Sequence, residues 1–169
     1  MRISDVMTRE VATVGPDQTA REAATFMLNA DAGSIPVTEG DRLIGMITDR
    51  DIAVRAVAEG RGPESTVGEA MTDHVDYCYD DDEVEEIAMR MSDSQVRRFP
   101  VISRDDNKLV GIVSLGDLSR SEQGQAAQVA LDGVTQLTMA DEAAYHAHRL
   151  ALGVPDPATA LVPVVAGIY

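Results

Sequence analysis

The 169 residues carry 29 acidic against 14 basic side chains, a formal charge of −15, with 44% apolar residues. Such an acidic balance excludes nucleic acid and anionic membrane as partners, since both need a basic face. It leaves room for a small phosphorylated ligand, because charges beyond about 8 Å are largely screened at physiological salt. The length suits one compact domain or two closely packed halves with a proper core. No apolar run reaches the roughly 18 residues of a membrane span, and Met1-Arg2-Ile3-Ser4-Asp5 lacks a signal-peptide stretch, so a soluble cytoplasmic protein is expected.

In chain order, Val11-Ala12-Thr13-Val14 reads as a short strand broken by Gly15-Pro16-Asp17. Thr19-Ala20-Arg21-Glu22 is a capping box that opens a helix, with Ala20, Ala23, Ala24, Met27 and Leu28 forming its apolar face. Ser34-Ile35-Pro36-Val37 is the next strand, Gly40-Asp41 a turn, and Arg42 to Ile47 a third strand that returns to helix from Thr48 through Ile52, Ala53 and Ala56. Gly60 to Ser65 has linker character.

The order then repeats, with a strand over Val75 to Cys78, a helix from about Glu83 to Ser92, strands Phe99 to Ile102 and Lys108 to Val113, and a helix from Ser114. Residues 3–37 align with 67–101 at an offset of 64, and Gly45-Met46-Ile47-Thr48-Asp49-Arg50-Asp51 returns as Gly111-Ile112-Val113-Ser114-Leu115-Gly116-Asp117 at an offset of 66. The two extra residues fall in the polar turn Ser103-Arg104-Asp105-Asp106-Asn107, where a loop lengthens at little cost. An internal duplication of this kind predicts an α/β (α+β) chain of two pseudo-symmetric β-α-β-β-α units packed through their sheets, because each unit alone would expose one sheet face. The boundaries expected are 1–59 and 67–120 for the repeats, 60–66 for the linker, and 121–169 for a helical and apolar extension.

Within that extension, Gln123 to Val134 and Met139 to Leu152 read as helices. The final run from Ala160 to Tyr169 is nearly all apolar and too short to span a bilayer, and it is expected to dock across the interface of a homodimer. The lone Cys78 excludes an internal disulfide and, between Tyr77 and Tyr79, reads as a small buried hydrophobe. His74, His146 and His148 are too few and scattered for a metal centre, and there is no glycine-rich phosphate loop. Asp80-Asp81-Asp82-Glu83 reads as a solvated start of the following helix, whose N-terminus favours negative charge.

Asp5-Val6-Met7-Thr8, Ser34 to Val37, Gly45 to Asp51, Val96-Arg97-Arg98-Phe99-Pro100-Val101 and Leu109 to Asp117, in two ordered copies, resemble a tandem pair of CBS (cystathionine-β-synthase-type) domains over about residues 1–120. The resemblance implies a regulatory pair, often a homodimeric disc, that binds an adenosine nucleotide between its copies, as in stand-alone bacterial proteins linked to stress or energy sensing. It implies no catalytic activity and no resident cofactor, with AMP, ADP or ATP as regulatory ligand and an unknown effector protein as recipient of the signal. Asp51 and Asp117 stand where the family places the ribose contact, and Ile35, Pro36, Phe99 and Pro100 where apolar strand residues sandwich adenine, with Thr13 or Tyr77 at its edge.

Thr48 and Ser114 place hydroxyls at helix starts, where free N–H groups favour phosphate. The same Thr48-x-x-Asp51 and Ser114-x-x-Asp117 spacings are capping boxes that need no ligand. Both readings stand on the sequence. Arg50 in the first frame aligns with Gly116, and Arg97-Arg98 in the second with Gly33-Ser34, so the frames differ in phosphate-binding charge. Ion pairs with the acidic surface are the alternative for these arginines, and a structural pair with empty clefts is the alternative for the whole.

Overall fold

A computed structural model describes residues 1–120. The helices expected at 123–134 and 139–152, the reading of His146 and His148, and the apolar run 160–169 lie outside the described residues. In chain order the elements are α1 (Ile3–Val6), α2 (Ala20–Ala30), β1 (Ser34–Glu39), β2 (Arg42–Thr48), α3 (Asp49–Asp51) running into a π-helical turn (Ile52–Val57), α4 (Val67–Ala70), β3 (Cys78–Tyr79), α5 (Val84–Ser94), β4 (Arg98–Ile102), β5 (Leu109–Ser114) and α6 (Leu115–Arg120). Among the described residues no helix is long and apolar enough to cross a membrane.

Each repeat builds the same sheet. β1 pairs antiparallel with β2, β4 with β5, and the register of each hairpin shifts at the same place, opposite Val37/Thr38 and Val101/Ile102, where the second strand carries an extra residue, Ile44 or Val110. β3 adds parallel to β4. The first repeat has no full counterpart of β3: of the strand expected at Val11–Val14 only Val14 pairs, through a bridge to Val37. Ala12 and Thr13 are exposed there, with no side chain to bury that would hold them in a ladder.

Helix α2 starts as its sequence requires. Thr19 Oγ1 accepts from Glu22 N at 3.2 Å, and Glu22 Oε2 accepts from Thr19 N at 2.7 Å. Its buried stripe is narrower than expected, with Ala20, Ala23 and Met27 inside but Ala24 exposed and Leu28 80% exposed. Ala24 and Leu28 instead line a groove with Ile52, Val57 and Pro63. The helix expected to run on from Thr48 is α-helical for one turn only before widening to the π turn, in which Ala58 N donates to Ala53 O.

The two halves are joined by an exchange. The short α1, which leads the first repeat in sequence, packs into the core of the second, where Ile3 and Met7 join Cys78, Val84, Ile87, Met91, Phe99, Val101, Val113 and Leu118. In return α4 leads the second repeat but completes the core of the first, Val67 and Ala70 lying with Val14, Ala23, Met27, Ile35, Val37 and Ile47. The hydrogen bonds repeat the symmetry: Ile3 N donates to Asp82 O at 2.9 Å, and Val67 N to Gln18 O at 2.7 Å. Thr8 and Ile112 exchange bonds at 2.9 Å each, and Met46 and Thr72 do so at 2.9 and 2.8 Å. Burying one such apolar side chain contributes about 1.5–3 kcal/mol, against about 0.5–1.5 kcal/mol net for a hydrogen bond, so the apolar residues set the strength of the joint and the hydrogen bonds its register. The linker is stitched in as well, since Ala20 N donates to Ser65 O at 2.8 Å and Arg21 N to Pro63 O at 3.0 Å.

The glycine of the repeated phrase is explained by this joint. A Cβ on Gly45 would lie 2.6 Å from the Thr72 carbonyl oxygen, and one on Gly111 would lie 2.6 Å from Met7 Sδ and 2.9 Å from Thr8 O. Only a residue without a side chain lets the partner repeat's leading segment pair so closely with β2 or β5. Cys78 is fully buried, as its apolar setting predicts, and burial pushes its thiol up to about 12.

Gly45→Ala and Gly111→Ala are each expected to lose about 1–3 kcal/mol through overpacking in urea unfolding, whereas Gly15→Ala, whose Cβ meets nothing closer than 4.0 Å, stays within about 0.5 kcal/mol; equal effects at all three sites would contradict the close-approach account. Native Cys78 is expected to resist iodoacetamide at pH 8 and to react once unfolded. Because its folded pKa lies above the ordinary 9.0, the thiol's share of stability is intact below pH 9 and is lost as pH rises toward about 12.

Candidate functional site

The exchange that closes the cores also opens a cleft. After Thr72 pairs with Met46, the chain continues through His74, Val75 and Asp76 beside β2, and faces the turn from Gln95 to Arg98 that leads into β4. The space between has a volume of about 710 Å³, within the roughly 300–1,000 Å³ usual for small-molecule sites.

Of the residues expected at a site, Thr48, Arg50, Asp51, Arg97, Arg98 and Pro100 line this cleft together. Ile35 and Phe99 do not, being core residues at 2% and 0% exposure. Strand alternation explains the difference: Ile35 and Val37, like Phe99 and Val101, face the cores, and the residues between them turn the other way. Pro36, opposite Met46 in the ladder, is buried and outside the cleft lining. Thr13 lies in a separate pocket of about 200 Å³ with Arg9 and Thr38, and Tyr77 in a hollow with Asp73 and His74. Ser114 and Asp117 are not among the lining residues of the cleft.

The arginines, assigned by the repeat alignment to two different frames, meet here. Arg50 comes from α3, just after β2, and Arg97 and Arg98 come from the entry to β4 in the other repeat. Arg98 Nη1 donates to Ser34 Oγ at 3.4 Å. Among the described residues no carboxylate pairs with the side chains of Arg50, Arg97 or Arg98, although Arg21, Arg61, Arg90, Arg104 and Arg120 all make such pairs. Asp49, Asp51 and Asp76 line the same cleft, so its formal charge is balanced in a chain that is otherwise strongly acidic. Met46, Val75, Val96 and Pro100 supply apolar wall.

Both Thr/Ser-x-x-Asp motifs are closed as caps. Thr48 N and Oγ1 donate to Asp51 Oδ2 at 3.0 and 2.7 Å, and Asp51 N donates back to Thr48 Oγ1 at 3.0 Å. Ser114 N and Oγ donate to Asp117 Oδ2 at 2.8 and 2.7 Å, and Asp117 N donates back to Ser114 Oγ at 3.3 Å. The hydroxyls and one oxygen of each carboxylate are therefore engaged within the protein. Arg55 lies behind Asp51 and ties the cleft to the exchanged segment, its Nη1 donating to the carbonyls of Ala70 and Met71 at 2.9 and 2.7 Å.

Met46, Thr72, His74, Val75, Asp76, Gln95 and Val96 are lining residues that sequence reasoning missed. Those at 72–76 reach the cleft only through the exchange of leading segments, for which no local pattern exists. The acidic run precedes α5, with Glu83 at its N-cap, but it is not simply solvated: Asp82 is 12% exposed, Arg104 binds Asp81 and Asp82, and its guanidinium holds the Asp81 carboxyl below the usual carboxylate range. Among the described residues no three His, Cys, Asp or Glu side chains gather as a group able to hold a metal ion.

The family described as CBS domain matches residues 3–57 and 67–124. CBS domain-containing protein YhcV of Bacillus subtilis is 44% identical over 117 residues, 69% of this chain and 82% of its own length. Hypoxic response protein 1 of Mycobacterium tuberculosis is 40% identical over 118 residues, 69% of this chain and 81% of its own. The crystal structure of Hypoxic Response Protein I, with two coordinated zinc ions, superposes with a TM-score of 0.65 at 38% identity, covering 71% of this chain and 98% of that one. The CBS domain pair of protein MJ0100, solved in complex with 5′-methylthioadenosine and S-adenosyl-L-methionine, does so with a TM-score of 0.64 at 29% identity, covering 74% and 98%. The repeated glycine-to-aspartate phrase, the reciprocal packing behind it and the two matched segments together place this chain in the CBS-domain family, with two CBS domains in tandem.

Proposed function

We propose that this chain is a non-catalytic regulatory module that binds an adenosine nucleotide, AMP, ADP or ATP, in the cleft between its CBS domains and passes that occupancy to an effector protein. The observation that carries the reading is the convergence of Arg50, Arg97 and Arg98, none paired with a carboxylate among the described residues, on a cleft that also presents Asp51 and an apolar wall. Guanidinium groups bind phosphate through charge-assisted hydrogen bonds worth about 1.5–3 kcal/mol each. A carboxylate accepts the two adjacent hydroxyls of a ribose, and Met46, Val75 and Pro100 offer apolar surface to a base. The MJ0100 domain pair, with its two adenosyl compounds, supports the same ligand class. A single buried thiol fits the reducing cytoplasm.

One observation favours a second reading, a structural pair without nucleotide: the Thr48–Asp51 and Ser114–Asp117 caps are complete with no ligand. Calorimetry on protein stripped of ligand separates the two, using AMP, ADP, ATP and S-adenosylmethionine. Binding of AMP is expected, weakened at least tenfold by Arg50→Ala or Arg97→Ala, with S-adenosylmethionine weaker because it is cationic and lacks phosphate. Silence with all four establishes the structural reading.

A homodimer belongs to the same proposal. Leu28 and Val57, 80% and 65% exposed, flank an apolar groove between α2 and the π turn that a second copy would cover. Light scattering is expected to give twice the chain mass for the native protein and the single mass for Leu28→Glu/Val57→Glu; a monomeric native protein would remove the dimer.

A further inference from the structure

We propose that each chain holds one nucleotide, at Asp51, and that Arg120 closes the pseudo-equivalent position at Asp117; this rests on the adenosine reading above. The two capping boxes use the same oxygen, Oδ2, and differ at the other. Asp117 Oδ1 accepts from Arg120 Nη2 at 2.6 Å, and the residue is 8% exposed, so both carboxylate oxygens already accept bonds inside the protein. Asp51 Oδ1 has Arg55 Nη1 at 3.6 Å, beyond hydrogen-bond distance. That nitrogen is held back by the Ala70 and Met71 carbonyls and by Thr72 Oγ1, at 2.9, 2.7 and 3.2 Å. The exchanged segment thus keeps Arg55 away from Asp51 and leaves one oxygen able to accept ribose hydroxyls.

The charge around the two carboxylates differs in the same direction at the positions that carry a guanidinium. Arg50 lines the Asp51 cleft, and its equivalent beside Asp117 is Gly116. His74 is matched by Glu10, and Gln95 by Asp31, so the alignment sets carboxylates in the second frame where the first has none. Asp49 and Asp76, matched by Leu115 and Ala12, run the other way. Asp49 Oδ1 accepts from the Arg50 backbone N–H at 2.7 Å, and the features that separate the two positions are the Arg120 contact to Asp117 and the glycine in place of Arg50.

Both changes that would open the second position are tolerable in the fold. The Arg120 side chain is 75% exposed, and a Cβ on Gly116 meets only Ser114 Oγ at 3.5 Å and Arg120 Nη1 at 3.8 Å. Equilibrium dialysis of the full chain against AMP is expected to give one AMP per chain for the native protein and two for Gly116→Arg/Arg120→Ala. Two per native chain, or still one in a double variant of unchanged melting temperature, would overturn the proposal while leaving the adenosine reading intact. No AMP in either protein would overturn both. Should the double variant melt early, Arg120→Ala alone decides: a second AMP at least tenfold weaker than the first supports the closure, and its absence removes it.

Discussion

The reciprocal packing of α1 and α4 is the constraint on which the rest of this molecule depends. Neither core is complete from its own repeat, since Ile3 and Met7 belong to one and are buried in the other, and Val67 and Ala70 return the exchange. From that arrangement follow the glycines at 45 and 111, which make room for the incoming backbone. From it also follows the cleft, because the chain that leaves the joint at Thr72 is laid beside β2.

Much of the fold was legible because it is written in local chemistry. The capping box at Thr19, the helical spacing of Ala20, Ala23 and Met27, and the turn at Gly40 are short-range instructions, and the duplication supplied the rest of the element order. Where the sequence suggests strands at 11–14 and 75–78, the structure has a single bridge at Val14 and a two-residue strand at Cys78–Tyr79, because residue type says little about whether a partner lies alongside. The site was legible in part. Thr48, Arg50, Asp51 and the Arg97–Arg98 pair are recognisable from their motifs, but their grouping depends on contacts between residues more than 40 positions apart, which no periodicity records. Ile35 and Phe99 miss the cleft for a simpler reason: adjacent strand residues point to opposite faces, and these two point into the cores.

The Thr48-x-x-Asp51 motif was ambiguous in sequence between helix cap and ligand contact, and the structure shows why spacing could not separate them. A cap uses the hydroxyl and one carboxylate oxygen, leaving the second oxygen to its surroundings. Whether that oxygen is open to a ligand is decided by side chains outside the motif, Arg55 in one repeat and Arg120 in the other. Two identical spacings therefore carry different chemistry, and the difference arose where the copies diverged.

The exchange also has a consequence for how such a chain could have arisen. A single ancestral repeat could not have satisfied its own core, and would have been stable only as a symmetric pair in which each copy lent its leading helix to the other. Fusing two copies through a short linker turned that second-order encounter into an intramolecular one, independent of concentration. Once joined, the two positions were no longer bound to be identical, and they differ now as Arg50 and Gly116.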